Sequence, residues 1–125
     1  MRETKAFKVL SDETKMRVLN LLLERECCVC EVMQALEISQ SKASRGLTTL
    51  SDAGFLKMRK EGLWSLYSLD EEGIKGYRSK LIEAVREALE DNKTAASDKE
   101  RLKKAERVGA ACARKVCNSP TSVEA

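Results

Sequence analysis

The chain has no histidine among its 125 residues. That removes imidazole from any metal site, from most general-base mechanisms and from every Ser-His or Cys-His nucleophile pair. No run approaches the ~20 apolar residues of a membrane span. The start, Met1-Arg-Glu-Thr-Lys-Ala-Phe7, lacks the apolar core of a secretory signal. Net charge is only +3, so bulk charge does not argue for nucleic acid. No internal repeat is present. These absences lead us to expect a cytosolic protein that is not an enzyme. The length fits one small domain, and its modest core makes a dimer a reasonable expectation. With 42% hydrophobic and 34% charged residues, the composition is that of a globular chain.

What the chain does have is thiols. Of five cysteines, Cys27, Cys28 and Cys30 fall within four positions, and Cys112 and Cys117 lie near the end. In a reducing compartment such a set points to metal or redox chemistry more than to a disulfide frame. Thiolate is a soft ligand. Trivalent arsenic and antimony are thiophilic and keep a lone pair, so three sulfurs in a pyramid suit them. Zinc prefers four ligands.

Periodicity outlines the elements. Residues 1–10 form a short first helix. A second, capped by Ser11 or Asp12, runs to about Glu24 with Met16, Val18, Leu19, Leu22 and Leu23 apolar. A short helix from about Cys30 to Leu36 follows, then a turn at Glu37-Ile38-Ser39. The next helix, Gln40 to Ala53, is capped by Ser39, faces the core with Ala43, Leu47 and Leu50, and ends before Gly54 as C′ residue. Leu56–Lys60 and Leu63–Leu69 read as a β-hairpin around Glu61-Gly62. Residues 71–91 read as a long helix with Ile74, Tyr77, Leu81, Val85 and Leu89 on one stripe, long enough to pair with its own copy. Residues 92–97 read as a polar linker and 98–116 as a last helix.

Local charge is more telling than the total. Residues 42–60 hold Lys42, Arg45, Lys57, Arg59 and Lys60 against the single acid Asp52, and 99–115 hold seven basic against two acidic residues. Helix, short turn, helix, then hairpin is the winged helix-turn-helix order, mainly α with a small β wing (α+β). A helix fits the major groove of B-DNA with its N-terminal residues at the base edges. The set placed there is Gln40, Ser41, Lys42, Ser44 and Arg45. Arg59 and Lys60 near the wing tip suit phosphate or minor-groove contact.

Asp12-Glu-Thr-Lys-Met-Arg-Val-Leu19, Glu26-Cys-Cys-Val-Cys-Glu-Val32, Ser39-Gln-Ser-Lys-Ala-Ser-Arg45, Ala53-Gly-Phe-Leu56 and Arg59-Lys-Glu-Gly-Leu-Trp64 with Tyr67 resemble the ArsR–SmtB family of metal-responsive winged-helix repressors. The likeness is strongest to arsenical-resistance operon repressors and covers residues 6–90. It implies a homodimer built on the first and fifth helices. It also implies repression of operator DNA in the apo state and release on binding a metal or metalloid. On that basis residues 1–91 form the DNA-binding and dimerisation domain, and 92–125 a linker, basic helix and tail.

The sequence departs from the family in two places that matter. Gly46 stands where the family commonly has histidine. The family's arsenic motif, Glu-Leu-Cys-Val-Cys-Asp-Leu-Cys, is matched at its first two thiols by Cys28 and Cys30, but Met33 occupies the third position and Cys27 replaces the leucine. The resemblance thus implies As(III), with Sb(III) beside it, as inducer held by Cys28 and Cys30. The third ligand stays open among Cys27, Cys112 and Cys117. In an extended segment Cys28 and Cys30 share a face, and in a helix Cys27 and Cys30 are neighbours. All three converge only if the helix starts at or after Cys28 or unwinds there. The alternatives are a thiol redox or a cadmium or lead trigger on the same scaffold, and a thiol-rich metalloid carrier with no DNA role.

Overall fold

The computed structural model describes residues 1–107. Helices α1 (Arg2–Leu10) and α2 (Glu13–Leu22) are followed by a two-residue strand β1 (Cys27–Cys28), helices α3 (Val29–Leu36) and α4 (Gln40–Asp52), strands β2 (Leu56–Glu61) and β3 (Trp64–Leu69), and helices α5 (Tyr77–Leu89) and α6 (Lys93–Lys104). This is the winged helix-turn-helix architecture expected from the sequence.

The helix ends follow local chemistry. Asp12 caps α2 by accepting the Lys15 N–H, and Ser39 caps α4 by accepting the Lys42 N–H. Between them α3 ends in a Schellman-type turn. Glu37 adopts the left-handed conformation (φ 56°), and the Ile38 N–H reaches back to the Met33 carbonyl. That turn redirects the chain into Ser39 and α4. Gly54 ends the unit at φ +93°, where a Cβ would sit 2.8 Å from Arg78 Nε, the group that donates to the Ala53 carbonyl. Only glycine fits both demands.

The core gathers Val18, Leu19, Leu21, Val32, Leu47, Leu50, Phe55 and Leu66. Gly46 is part of it. A Cβ there would lie 3.3 Å from Val18 Cγ2, so α4 crosses close to α2. The glycine that departs from the family pattern is a packing contact.

Four boundaries differ from the sequence expectation. The hairpin is joined by β1, giving a three-stranded antiparallel sheet of order β1-β3-β2 with Cys27 opposite Tyr67 and Cys28 opposite Leu66. The fifth helix starts at Tyr77, not at residue 71, because Gly73 and Gly76 break residues 70–76 into turns. Residues 93–97, expected to be linker, are the first turn of α6, capped by Asn92 accepting the Ala95 N–H. That helix ends at Lys104, with Ala105 extended, so it does not run on to residue 116 as one helix. The expected helical positions 109, 112 and 116 lie outside the described residues.

α6 is fastened onto α2 and α3 by charge. Asp98, 1% exposed, accepts Arg17 Nε and Nη2 at 2.9 and 2.8 Å and Arg101 Nη2 at 2.9 Å. Arg101 Nε donates to the Ala35 carbonyl at the end of α3, 2.6 Å away. Asp98→Ala removes the buried carboxylate that both guanidiniums share and leaves them, among the described residues, only the exposed Glu37 as an ion-pair partner, 4.0 Å from Arg101. It should lower the unfolding free energy by about 2 kcal/mol or more in guanidinium titrations. A loss within ordinary surface scatter, about 0.5 kcal/mol, would show that the ion cluster does not hold α6.

Candidate thiol and nucleic-acid site

The thiols sit where the chain passes from strand to helix. Cys28 is the N-cap of α3, at φ −93°, ψ 172°, and Cys30 is the second residue of the helix. Cys28 and Glu31 make a capping box. The Glu31 carboxylate accepts the Cys28 N–H at 2.9 Å, and the Cys28 sulfur takes the place of a serine oxygen toward the Glu31 N–H. The helix thus begins immediately after Cys28, one of the two conditions under which the thiols can gather.

Cys27 is placed differently. All three thiols are buried, Cys27 at 0%, Cys28 at 4% and Cys30 at 5% exposure, but Cys27 lies within the strand, where successive residues point to opposite faces. Its thiol donates to the Arg25 carbonyl at 3.4 Å. Burial, followed by the neighbouring Glu31 carboxylate, pushes its pKa up to about 12. Burial also raises Cys28, but there the backbone N–H groups of Glu31 and Cys30 pull the other way. Cys27 and Cys28 are free thiols. Among the described residues no three Cys, Asp or Glu side chains are grouped to hold a metal ion. Met33, at the family's third thiol position, is buried in the core.

Glu31 is the residue at the thiol cap that the sequence pattern alone does not single out. It is 3% exposed and carries Arg25 (2.8 Å) and Arg107 (3.2 and 3.1 Å) as well as the Cys28 N–H. Burial alone would raise its pKa. The Cys28 N–H and the two guanidiniums outweigh that and hold it below the usual carboxylate range. The spacing Cys28-x-x-Glu31 was the available signal, a capping box with sulfur in the hydroxyl's place.

Eight residues of α3 separate this cap from the turn into α4. Along α4 the core takes Ala43, Gly46, Leu47 and Leu50. Ser41, Lys42 and Arg45 are exposed, and Gln40 and Ser44 are half-buried. Lys42, Arg45 and Lys60 enter no ion pair among the described residues, so their charge is open to an anion. Arg59 is held instead. It makes a two-pronged bridge to Glu26 at 2.9 and 3.0 Å and a second to Glu61 at 2.7 Å. The Arg59 hydrogen bond, before its charge, holds Glu26 below the usual carboxylate range. Glu26 directly precedes β1, so the wing is tied to the thiol strand at a side chain as well as through the sheet.

A family described as "Bacterial regulatory protein, arsR family" matches residues 12–58. A cadmium resistance transcriptional regulatory protein CadC homolog of Staphylococcus aureus is 45% identical over 76 residues, 60% of this chain and 63% of that one. An arsenical resistance operon repressor of Bacillus subtilis is 35% identical over 74 residues, covering 58% of this chain and 70% of that one. Among solved structures, HlyU from Vibrio cholerae superposes with a TM-score of 0.59 at 28% identity, covering 70% of this chain and 90% of the other. The chain spans about half to two thirds of the length of the first curated relatives it matches. The match to the helix-turn-helix and the extent of the Bacillus likeness lead to one statement: the chain belongs to the arsR family of bacterial regulatory proteins.

Proposed function

We propose that the chain is a cytoplasmic, homodimeric transcriptional repressor that binds operator DNA without inducer and is released when As(III), or Sb(III), binds Cys28 and Cys30. The observation that carries this reading is the position of Cys28. The sulfur that caps α3 and the residues set to read DNA stand at opposite ends of one eight-residue helix, a distance of about 12 Å. Arsenical resistance repressors and regulators among the relatives support the choice of inducer. The cadmium relative makes cadmium the alternative, and a metal titration separates the two.

DNA contact falls to Gln40, Ser41, Lys42, Ser44 and Arg45 from α4 and to Lys60 from the wing. Arg59 joins them if it leaves Glu26. The dimer uses α1 and α5. Phe7 is 55% exposed and stacks on Tyr77 with ring centres 6.0 Å apart, while Leu81 and Leu89 are half-buried on the same helix as Tyr77. Residues 1–91 serve as the DNA-binding and dimerisation unit. Residues 92–125 are an extension whose helix α6 folds back on α2 and α3.

The chemistry is a condensation. Arsenite enters as As(OH)3, and each S–H that replaces an As–OH forms one S–As bond and releases one water. With Cys30 in its reduced form, two such steps use Cys28 and Cys30. The third sulfur comes from the extension, Cys112 or Cys117, both outside the described residues. Cys27 is the poorer candidate because its thiol is engaged with the Arg25 carbonyl before the helix, whereas the similarly buried Cys28 and Cys30 open α3. Arg107 stands at Glu31 and Cys112 follows five residues later in the sequence. Five residues reach at most ~17 Å. Arsenic on Cys28 removes the sulfur from its cap and pulls the first turn of α3, which moves α4 relative to its copy. Only stronger binding to the released conformer drives this, and a full switch needs a ratio of about 10⁴.

Cys28→Ser and Cys30→Ser should each bind operator as the wild type does in a mobility-shift titration and no longer release it with arsenite. Normal release by either variant would remove that residue from the site. Arg45→Ala should cost about 1–3 kcal/mol of operator affinity and relax base preference at one position. Lys42→Ala should weaken all sequences alike and lower the salt slope by about one; an unchanged slope would place Lys42 off the DNA. Under native alkylation at pH 8, Cys27 should stay unmodified by mass spectrometry until the chain unfolds, since the thiolate is the reactive form. Alkylation of Cys27 alongside Cys28 would reopen Cys27 as a ligand.

A further inference from the structure

After α6 the chain turns extended at Ala105 (φ −70°, ψ 143°) and runs back along α3 toward its N-terminus. Arg101 bonds Ala35, Glu106 pairs with Gln34, and Arg107 pairs with Glu31. Gln34 answers both main-chain groups of Glu106. Its Nε2 donates to the Glu106 carbonyl at 2.9 Å, and its Oε1 accepts the Glu106 N–H at 3.1 Å. Arg107 donates twice to Glu31 Oε1 and lies 5.6 Å from the centre of the Trp64 ring.

Each of these two anchors has a second partner, and in each case it is a thiol residue. The Glu31 Oε1 that receives Arg107 also accepts the Cys28 N–H. The Gln34 Nε2 that holds Glu106 also donates to the Cys30 carbonyl, 3.1 Å away. One carboxylate oxygen is shared between Arg107 and Cys28, and one amide nitrogen between Glu106 and Cys30. The segment and the thiol pair are therefore fixed by the same two side chains.

We propose that Gln34, Glu106 and Arg107 form a latch of positioning residues for the thiol pair. Seated, the segment 105–107 holds the first turn of α3, and with it the placing of Cys28 and Cys30, in the arrangement that takes up trivalent arsenic. The latch rests on the thiol reading above. Glu106 and Arg107 lie beyond residues 12–58, the part matched by the family, while Gln34, which holds Glu106, lies inside it.

The full-length, reduced protein tests this in two steps. Without arsenite, the Glu106 amide should exchange with solvent more slowly than in a free chain, and Gln34→Ala should abolish that protection. Arsenite is then titrated while the arsenic–sulfur absorbance is followed. Glu106→Pro removes the N–H that Gln34 accepts, and Ala105 already has the extended conformation that precedes proline. Glu106→Pro and Arg107→Ala should each need roughly tenfold or more arsenite, as loss of outer-shell partners does at metal sites. Arg107→Lys, which keeps the charge but not the fork, should fall between them and the wild type. Thermal unfolding at the wild-type temperature shows that the variants are folded. An unprotected Glu106 amide in the wild type, or variant titrations that superimpose on it, overturns the latch while leaving the thiol reading standing. A wild type with no arsenic–sulfur absorbance overturns the thiol reading itself, and the latch with it.

Discussion

The Glu31 carboxylate is the point at which three parts of the chain meet. It takes the Cys28 N–H at the head of α3, Arg25 from the segment before β1, and Arg107 from beyond α6. An ionised carboxylate at this depth is tolerable only with such partners, since burying an unpaired charge costs several kcal/mol. The helix N-terminus adds to them, because its free N–H groups favour negative charge. The consequence is structural reciprocity. Glu31 fixes the cap of α3, and the guanidiniums that neutralise Glu31 fix where the chain before and after the winged unit lies.

A second ionic cluster does the same work at the other end of α3. Arg17, Asp98 and Arg101 join α2 to α6, and Arg101 continues to the Ala35 carbonyl. Arginine at that carbonyl meets the negative end of the α3 dipole. α6 contributes few apolar side chains to the core, chiefly Ala95 and Leu102. Its docking therefore depends on matched charge and on hydrogen bonds to main-chain carbonyls, including Arg25 to Leu102. Such contacts are directional, so they fix the position of α6 more sharply than its small apolar area would.

The same contrast explains what could be read from the residues alone. α4 was legible because Ala43, Leu47 and Leu50 repeat at helical spacing behind a serine cap, and the wing because apolar and basic residues alternate up to a glycine turn. β1 was not legible: two residues carry no period, and Cys27-Cys28 becomes a strand only because β3 is there to pair with it. The start of α6 was hidden because one of its three buried positions is Asp98, so its inward stripe reads as polar. The stripe overextends α5 because Ile74 fits it although Gly73 and Gly76 keep residues 70–76 in turns. At the head of α4 the periodicity leaves Gln40, Ser41, Lys42, Ser44 and Arg45 off the core face; Ser41, Lys42 and Arg45 are open and Gln40 and Ser44 half-buried. The bridge from Arg59 to Glu26 was not legible, since nothing in sequence says that residues 33 apart will face each other.

α3 itself sets how a ligand could act. Eight residues are too few for a helix to hold its shape in water without outside contacts. Its position is decided by its two ends and by Val32, Ala35 and Leu36, which face the core. The far end is held by the left-handed Glu37 and by Arg101, and the near end by the Cys28 sulfur, Glu31 and the residues bonded to them. A cap is worth about 1 kcal/mol, small against a fold but large against the balance between two helix positions. A thiol placed as a cap would join the two tasks in one atom, since the sulfur that steadies the helix is also the atom a soft Lewis acid would claim. On the proposed reading, ligand binding and helix position would compete for the same sulfur, and no longer pathway through the core would be needed to connect them.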